Sequence, residues 1–276
     1  MNWQAVDIGI LGPAMAAGLL VLVSHVPLGR QVLSRGIVFI DLAIAQVAGL
    51  GVVAADSFDL EARGWGVQIA AVTAALLGSL LLTWTDKHRP EVQEAVIGVL
   101  FVLASSVEIL LLSSNPKGGE HLKDLLVGQI LWVNFEQLLP VAILTGIFAV
   151  AWFRFGKYLR VTAFYALFAL MVTASVQLVG VYLVFASLIV PALACYRHAP
   201  GKQVPLGYAV GIVSYAAGLA LSAMFDLPSG AVVVCTLVVV GVVVHLSART
   251  ARSADSAPRA AAERVPVEDA AGISKT

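Results

Sequence analysis

Between residues 161 and 195 the chain carries no charged side chain. These about 35 residues exceed the roughly 20 that cross a bilayer as one helix, and just suffice for two helices joined tightly. The polar pause Thr-Ala-Ser-Val-Gln at 173–177 is the natural break, so a turn is expected near Ser175 with Gln177 at its outer side. A helix facing only lipid needs none of Gln177, Gly180, Ser187 or Pro191, so stretch 175–196 is expected to line or support a polar route through a membrane. The rest of the chain fits that setting: it is 59% hydrophobic and 12% charged, with mean hydropathy +0.92. A soluble domain carries about twice that charged fraction. Several further apolar runs of about 17–25 residues make the expected class all-α, a polytopic transmembrane helical bundle.

The runs fall at 8–24, 37–55, 67–84, 92–112, 138–153, 161–195 (two spans), 206–225 and 231–246, about nine spans with eight to ten as bounds. The first run lacks a basic leader or an A-x-A site and is not read as a cleaved signal. Loop 25–36 holds Arg30 and Arg35 without an acid, whereas loop 56–66 sets Asp56, Asp59 and Glu61 against Arg63. By the positive-inside rule the first is cytoplasmic and the second external, which puts the N-terminus outside. Arg154, Lys157 and Arg160 form a cation-only loop, and Arg197, His198 and Lys202 follow the uncharged stretch. Both loops read as cytoplasmic. Residues 125–132 are too few to span and read as an interfacial or half-inserted helix. Residues 1–246 are thus the membrane domain. The Ala-, Arg-, Glu- and Ser-rich residues 247–276 read as a disordered cytoplasmic tail.

Net charge is zero, with 17 cations and 17 anions, so nothing points to nucleic acid. Two cysteines, Cys195 and Cys235, make no disulfide framework. The chain has no G-x-x-x-x-G-K-[ST] nucleotide loop and no spacing of a closed structural metal site. It is not read as an enzyme. What remains are polar groups inside the spans, which are costly in lipid and mark cavities or helix partners. Asp41 opens the second span and Gln46 lies five residues on. That spacing is about 140° off one helical face, so an ideal helix would not aim both at one ion. Each is open to two readings, a cation pathway or an interfacial acid and a helix–helix hydrogen bond. Glu94 reads as an interfacial acid. Glu108, deeper in the fourth span, is a candidate pathway carboxylate or a paired one. Glu120, His121 and Asp124 offer oxygen and nitrogen ligands at the outer mouth, or are simply solvated. His25, His88, His198 and His245 sit at span ends or loops and receive no role.

Four segments resemble the integral-membrane permeases of zinc, manganese and iron-chelate ABC importers. LGRQVLSRGIVFIDLAIAQVAGLGV (28–52) resembles the family's G-x-x-x-V-x-R-x-x-x-x-x-D-A-L-x-H-x-x-x-P-G-V segment. EAVIGVLF (94–101) is similar to its acidic, A-I-G-x-L-F segment. VQLVGVYLVFASLIVPALA (176–194) is similar to V-G-x-L-L-V-x-A-L-L-I-x-P-A-x-x-A, and DLPSGA (226–231) to D-L-P-T-G-A. The segments occur in the family's order. Two departures stand out. With Gly51 on the family glycine, Gln46 takes the place of histidine and Leu50 that of proline; an amide oxygen is a poorer zinc ligand than imidazole. The family's longer F-D-x-x-x-A-x-x-x-G segment, which looks like the ATPase-docking helix, is reduced here to the short loop at 154–160.

The resemblance implies the permease subunit of an ATP-driven importer of a divalent transition metal, zinc or manganese, in the bacterial inner membrane. It implies a homodimer with the pathway on its axis, a separate cytoplasmic ATPase and an extracytoplasmic metal-binding protein. No tightly bound cofactor is expected, only the transported metal. Pathway candidates are Asp41, Gln46, Glu108 and Gln177, with Asp41 and Glu108 as metal ligands. Arg154, Lys157, Arg160 and Arg197 are the candidate ATPase-facing cations. The competing readings are an ATPase-independent secondary transporter or channel for cations, and a membrane subunit that transports nothing.

Overall fold

The computed structural model describes residues 8–57, 65–112, 126, 128, 130–155 and 161–262. Among these the chain forms nine α-helices. They are α1 (Ile8–Arg35), α2 (Ile40–Ser57), α3 (Trp65–His88), α4 (Gln93–Leu112), α5 (Phe135–Phe155), α6 (Val161–Val179), α7 (Val181–Cys195), α8 (Pro200–Phe225) and α9 (Ser229–Ala262). Short 3-10 turns at Pro90–Val92 and Ile130–Trp132 precede α4 and α5. Seven helices are long and apolar enough to cross a membrane; α2 and α7 are the shorter apolar ones.

Three boundaries differ from the sequence expectation. Residues 25–35, expected as a loop, continue α1 through Pro27. The helix stops at Gly36, whose φ of 73° is the left-handed geometry glycine favours. Gly36 N–H donates to Leu33 O and Ile37 N–H to Val32 O, the paired bonds of a Schellman stop. Second, the break in the uncharged stretch is not at Ser175. Thr173 and Ser175 remain buried inside α6, and the chain turns at Gly180, with φ 82° and ψ 161°. Only glycine enters that region readily. Third, residues 247–262, expected within a disordered tail, continue α9. Their alanines and arginines favour a helix by propensity, with Pro258 as the exception.

The helices pack as two groups that share one core. In the first, α2 lies against α3 and α4, with α6 across α2 and α3; in the second, α1 lies against α7 and α8, with α9 closing on both. Small residues bring the second group close. A Cβ at Gly29 would run into the Leu188 carbonyl, one at Gly18 into the Tyr215 ring, and one at Gly211 into Leu22. Within this seam the Ser187 hydroxyl is 2.9 Å from the Tyr215 hydroxyl and donates to Leu183 O at 2.7 Å. Outward faces are apolar instead. Leu139, Ile143, Ile147 and Val150 form an exposed stripe at helical spacing on α5, as suits contact with lipid.

One end of the bundle gathers the ends of α1, α3, α5 and α7 and the starts of the helices that follow them. Arg35 stacks 4.3 Å over the Phe164 ring. Lys87 Nζ donates to Thr162 Oγ1 at 2.9 Å. The buried Gln93 donates to Leu82 O and to the Tyr165 hydroxyl. These ties join the start of α6 to both groups.

The seam gives a paired prediction. Gly29→Ala should lower the thermal unfolding midpoint in detergent, because overpacking against a backbone carbonyl costs about 1–3 kcal/mol. Gly146→Ala, with nothing within 4 Å of the added Cβ, should hold or raise it, since glycine inside a helix costs roughly 0.5–1 kcal/mol relative to alanine.

Candidate functional site

Asp41 and Gln46 of α2 and Gln93 and Glu108 of α4 are buried by the chain's own helices. On α4 the inward stripe is Gln93, Ile97, Ala104, Glu108 and Leu112, spaced so that three- and four-residue steps keep one face inward. Glu108 is 2% exposed on that stripe and Gln46 is 6% exposed on α2. Both line one small recess together with Gly49 of α2, Val176 of α6 and Val181 of α7. Gly49 makes room for this: a Cβ there would lie 3.0 Å from Glu108 Oε1, so the carboxylate would have to shift to admit one. The recess has a cavity volume of about 10 Å³, room for no more than about one water.

The break at Gly180 shapes the other wall. Gly180 provides no side-chain cap for α7, and the first N–H groups of an α-helix have no partner within it. Val181, the first residue of α7, faces the recess, so the partly positive helix N-terminus stands beside the Glu108 carboxylate. Gly128, with φ 68°, abuts the same break; a Cβ there would run into the Val179 carbonyl. Chemically the recess offers an amide and a carboxylate. Such oxygen donors suit hard divalent cations better than the nitrogen and sulfur sets of structural zinc.

Asp41 does not line this recess. It lies in the first turn of α2, is 1% exposed, and neither carboxylate oxygen has a hydrogen-bond partner among the described residues. Its setting favours an anion only through the α2 N-terminal dipole. Two residues before Asp41, the Phe39 backbone N–H donates to Glu94 and so ties the start of α4 to the approach of α2. Gln177 is exposed, in the last turn of α6, and faces a separate cavity between α3, α5 and α6. Arg154 and Arg197 are exposed at the end that gathers the α5 and α7 termini. Glu120, His121, Asp124, Lys157 and Arg160 lie outside the described residues. Among the described residues no cluster of three or more His, Cys, Asp or Glu side chains could hold a metal.

The sequence reading missed His25. It is fully buried inside α1, with Nδ1 2.9 Å from both Val21 O and Ser24 Oγ, while Nε2 has no partner among the described residues. Reading α1 through Pro27 to the Gly36 stop would have placed it in a helix interior. Gln68 and Gln137, which join Gln177 in its cavity, were also passed over.

Comparison with known proteins gives a consistent picture. The chain is 26% identical over 252 residues to the manganese transport system membrane protein MntC of Halalkalibacterium halodurans, covering 84% of this chain and 85% of the relative. It is 24% identical over 249 residues to the high-affinity zinc uptake system membrane protein ZnuB of Haemophilus influenzae, covering 82% and 94%. In fold it resembles a chain of PsaBC from Streptococcus pneumoniae solved in complex with Fab, with TM-score 0.72 at 20% identity, covering 88% of this chain and 95% of that one. Residues 7–165 and 160–248 match the ABC 3 transport family. With that match spanning nearly every helix described above, the chain belongs to the ABC 3 transport family.

Proposed function

We propose that this chain is the permease subunit of an ATP-driven importer of a divalent transition metal in the bacterial plasma membrane. One observation carries the reading: Gln46 and Glu108 meet in a recess enclosed by helices of a membrane-spanning bundle. Polar groups placed so are expensive and mark ion routes. Relatives described as manganese and zinc transport system membrane proteins support the cargo class. Between the two metals, an oxygen-only pair favours manganese, because imidazole and thiolate are the ligands that suit zinc.

In this reading all nine helices cross the membrane, the N-terminus is outside, and the end holding Arg35, Arg154 and Arg197 is cytoplasmic. Two copies assemble with a pair of cytoplasmic ATPases, and an extracytoplasmic protein delivers the metal. ATP-driven closure of the ATPases switches the permease between outward and inward openings. The chain itself supplies the path and the gate and hydrolyses nothing. A recess of about 10 Å³ cannot hold a hydrated ion, so passage requires α2, α4 and α6 to part. Asp41, buried and unpartnered, is costly as an isolated anion, and a passing cation offsets that cost. Weak binding suits a conductor, which must release its ion. Arg154, Lys157, Arg160 and Arg197 form the ATPase-facing surface.

Three outcomes are expected. Asp41→Asn and Glu108→Gln should each cut metal uptake by roughly tenfold or more, the scale seen when groups around a metal site are altered, at unchanged membrane protein level; unaltered uptake would remove them from the path. Gln46→His should shift the zinc-to-manganese uptake ratio toward zinc in a competition assay, and a constant ratio would dismiss Gln46 as a selector. Joint reversal of Arg154→Glu and Arg197→Glu should weaken co-purification with the ATPase. A complex of undiminished yield would leave these cations as topology signals only.

A further inference from the structure

The second cavity, between α3, α5 and α6, has a volume of about 510 Å³ and lies apart from the recess. Three amides from three helices converge on it at one level: Gln68 in the first turn of α3, Gln137 in the first turn of α5 and Gln177 in the last turn of α6. Thr173, one turn before Gln177, also lines it; it is 1% exposed and its Oγ1 has no hydrogen-bond partner among the described residues. Gln137 is held in place by a reciprocal cap: Asn134 Oδ1 accepts the Gln137 N–H at 3.0 Å, and Gln137 Oε1 accepts the Asn134 N–H at 3.2 Å. Among the described residues no charged side chain lines the cavity. Deeper walls are apolar.

Amides and a hydroxyl arranged so are poorly matched to lipid tails, which satisfy no hydrogen bond, and well matched to water. The oxygens of Gln68, Gln177 and Thr173 can accept hydrogen bonds from the water shell of a cation. A shell of six waters, at about 30 Å³ each, fits this cavity, whereas the neighbouring recess of about 10 Å³ admits only a stripped ion. The partition is thin: Gln177 and Leu178 face the cavity while Val176 and Val181 face the recess. The last turn of α6, ending at Gly180, is the wall between them.

We propose that this cavity is an outer vestibule, a low-affinity site for a hydrated divalent cation, from which the ion passes the last turn of α6 to Gln46 and Glu108. The proposal rests on the permease reading and adds its outer site: Gln68, Gln177 and Thr173 hold the ion through its water shell, and Gln137 shapes the rim. Its described lining offers amides and a hydroxyl rather than carboxylates, which suits weak holding of the ion.

Single cysteines test it. Gln68→Cys and Gln177→Cys are placed in a chain carrying Cys195→Ala and Cys235→Ala, in intact cells containing the whole transporter, and exposed to a charged, membrane-impermeant thiosulfonate. Both should label from outside, millimolar Mn²⁺ should slow that labelling severalfold, and labelling should cut Mn²⁺ uptake severalfold. Leu227→Cys, exposed in the turn before α9, should label with uptake unchanged. Absence of labelling would mean a lipid-filled groove, and labelling without loss of uptake would mean a surface off the path; either overturns the vestibule. If the unlabelled cells take up neither Mn²⁺ nor Zn²⁺, the permease reading fails instead, and Mn²⁺ protection of the two cysteines still decides whether the cavity holds a cation.

Discussion

Asp41 and Glu108 are the buried carboxylates among the described residues of a largely apolar helical interior, and the rest of the structure is arranged around what that costs. Removing a polar group from water without a compensating partner costs several kcal/mol, and an isolated ionised group far more. Glu108 is accommodated by the missing side chain of Gly49 and by the uncapped start of α7. Asp41 has only the dipole of its own helix. A bundle selected for stability alone would have placed leucines at both positions. In the proposed reading, their presence is the requirement of an ion that passes.

That requirement divides the labour between the two helix groups. The α1, α7, α8 and α9 seam is locked by backbone-close glycines and by the Ser187–Tyr215 hydrogen bond. It has few ways to move, because packed interiors resist small adjustments. The α2, α4 and α6 group holds the recess, and its α6 ends at a glycine whose backbone conformation other residues rarely adopt. The junction at Gly180 links a rigid half to a polar one. A large amphiphilic cavity lies on one side of the last α6 turn and a one-water recess on the other, and under the proposed vestibule that turn is the gate.

Much of this was legible in the sequence because hydropathy reports helices directly: the nine apolar helices and their order follow from runs of apolar residues between charged loops. Hydropathy does not report where a helix stops once its residues leave the hydrocarbon layer. Arg30 and Arg35 therefore read as a loop, although they ride on the last turns of α1. In the uncharged stretch the polar residues drew attention, yet Thr173 and Ser175 are tolerated inside α6, and the turn was set by the backbone freedom of Gly180. Gln46 and Glu108 were each visible as costly polar residues. Their meeting was not, because it depends on the lateral pairing of α2 with α4 and on a glycine that only the packed structure shows to be a contact. Gln68 and Gln137 escaped notice since polar residues near span ends are ordinary.

The central claim is that the recess must open for cargo to pass. It can be tested by closing it. Ala45 of α2 and Val176 of α6 both line the recess, so cysteines at these positions, in a chain lacking Cys195 and Cys235, can be oxidised to a disulfide that pins the two helices together. The account predicts that oxidation stops metal uptake and that a reductant restores it. Continued uptake by the cross-linked protein would contradict it.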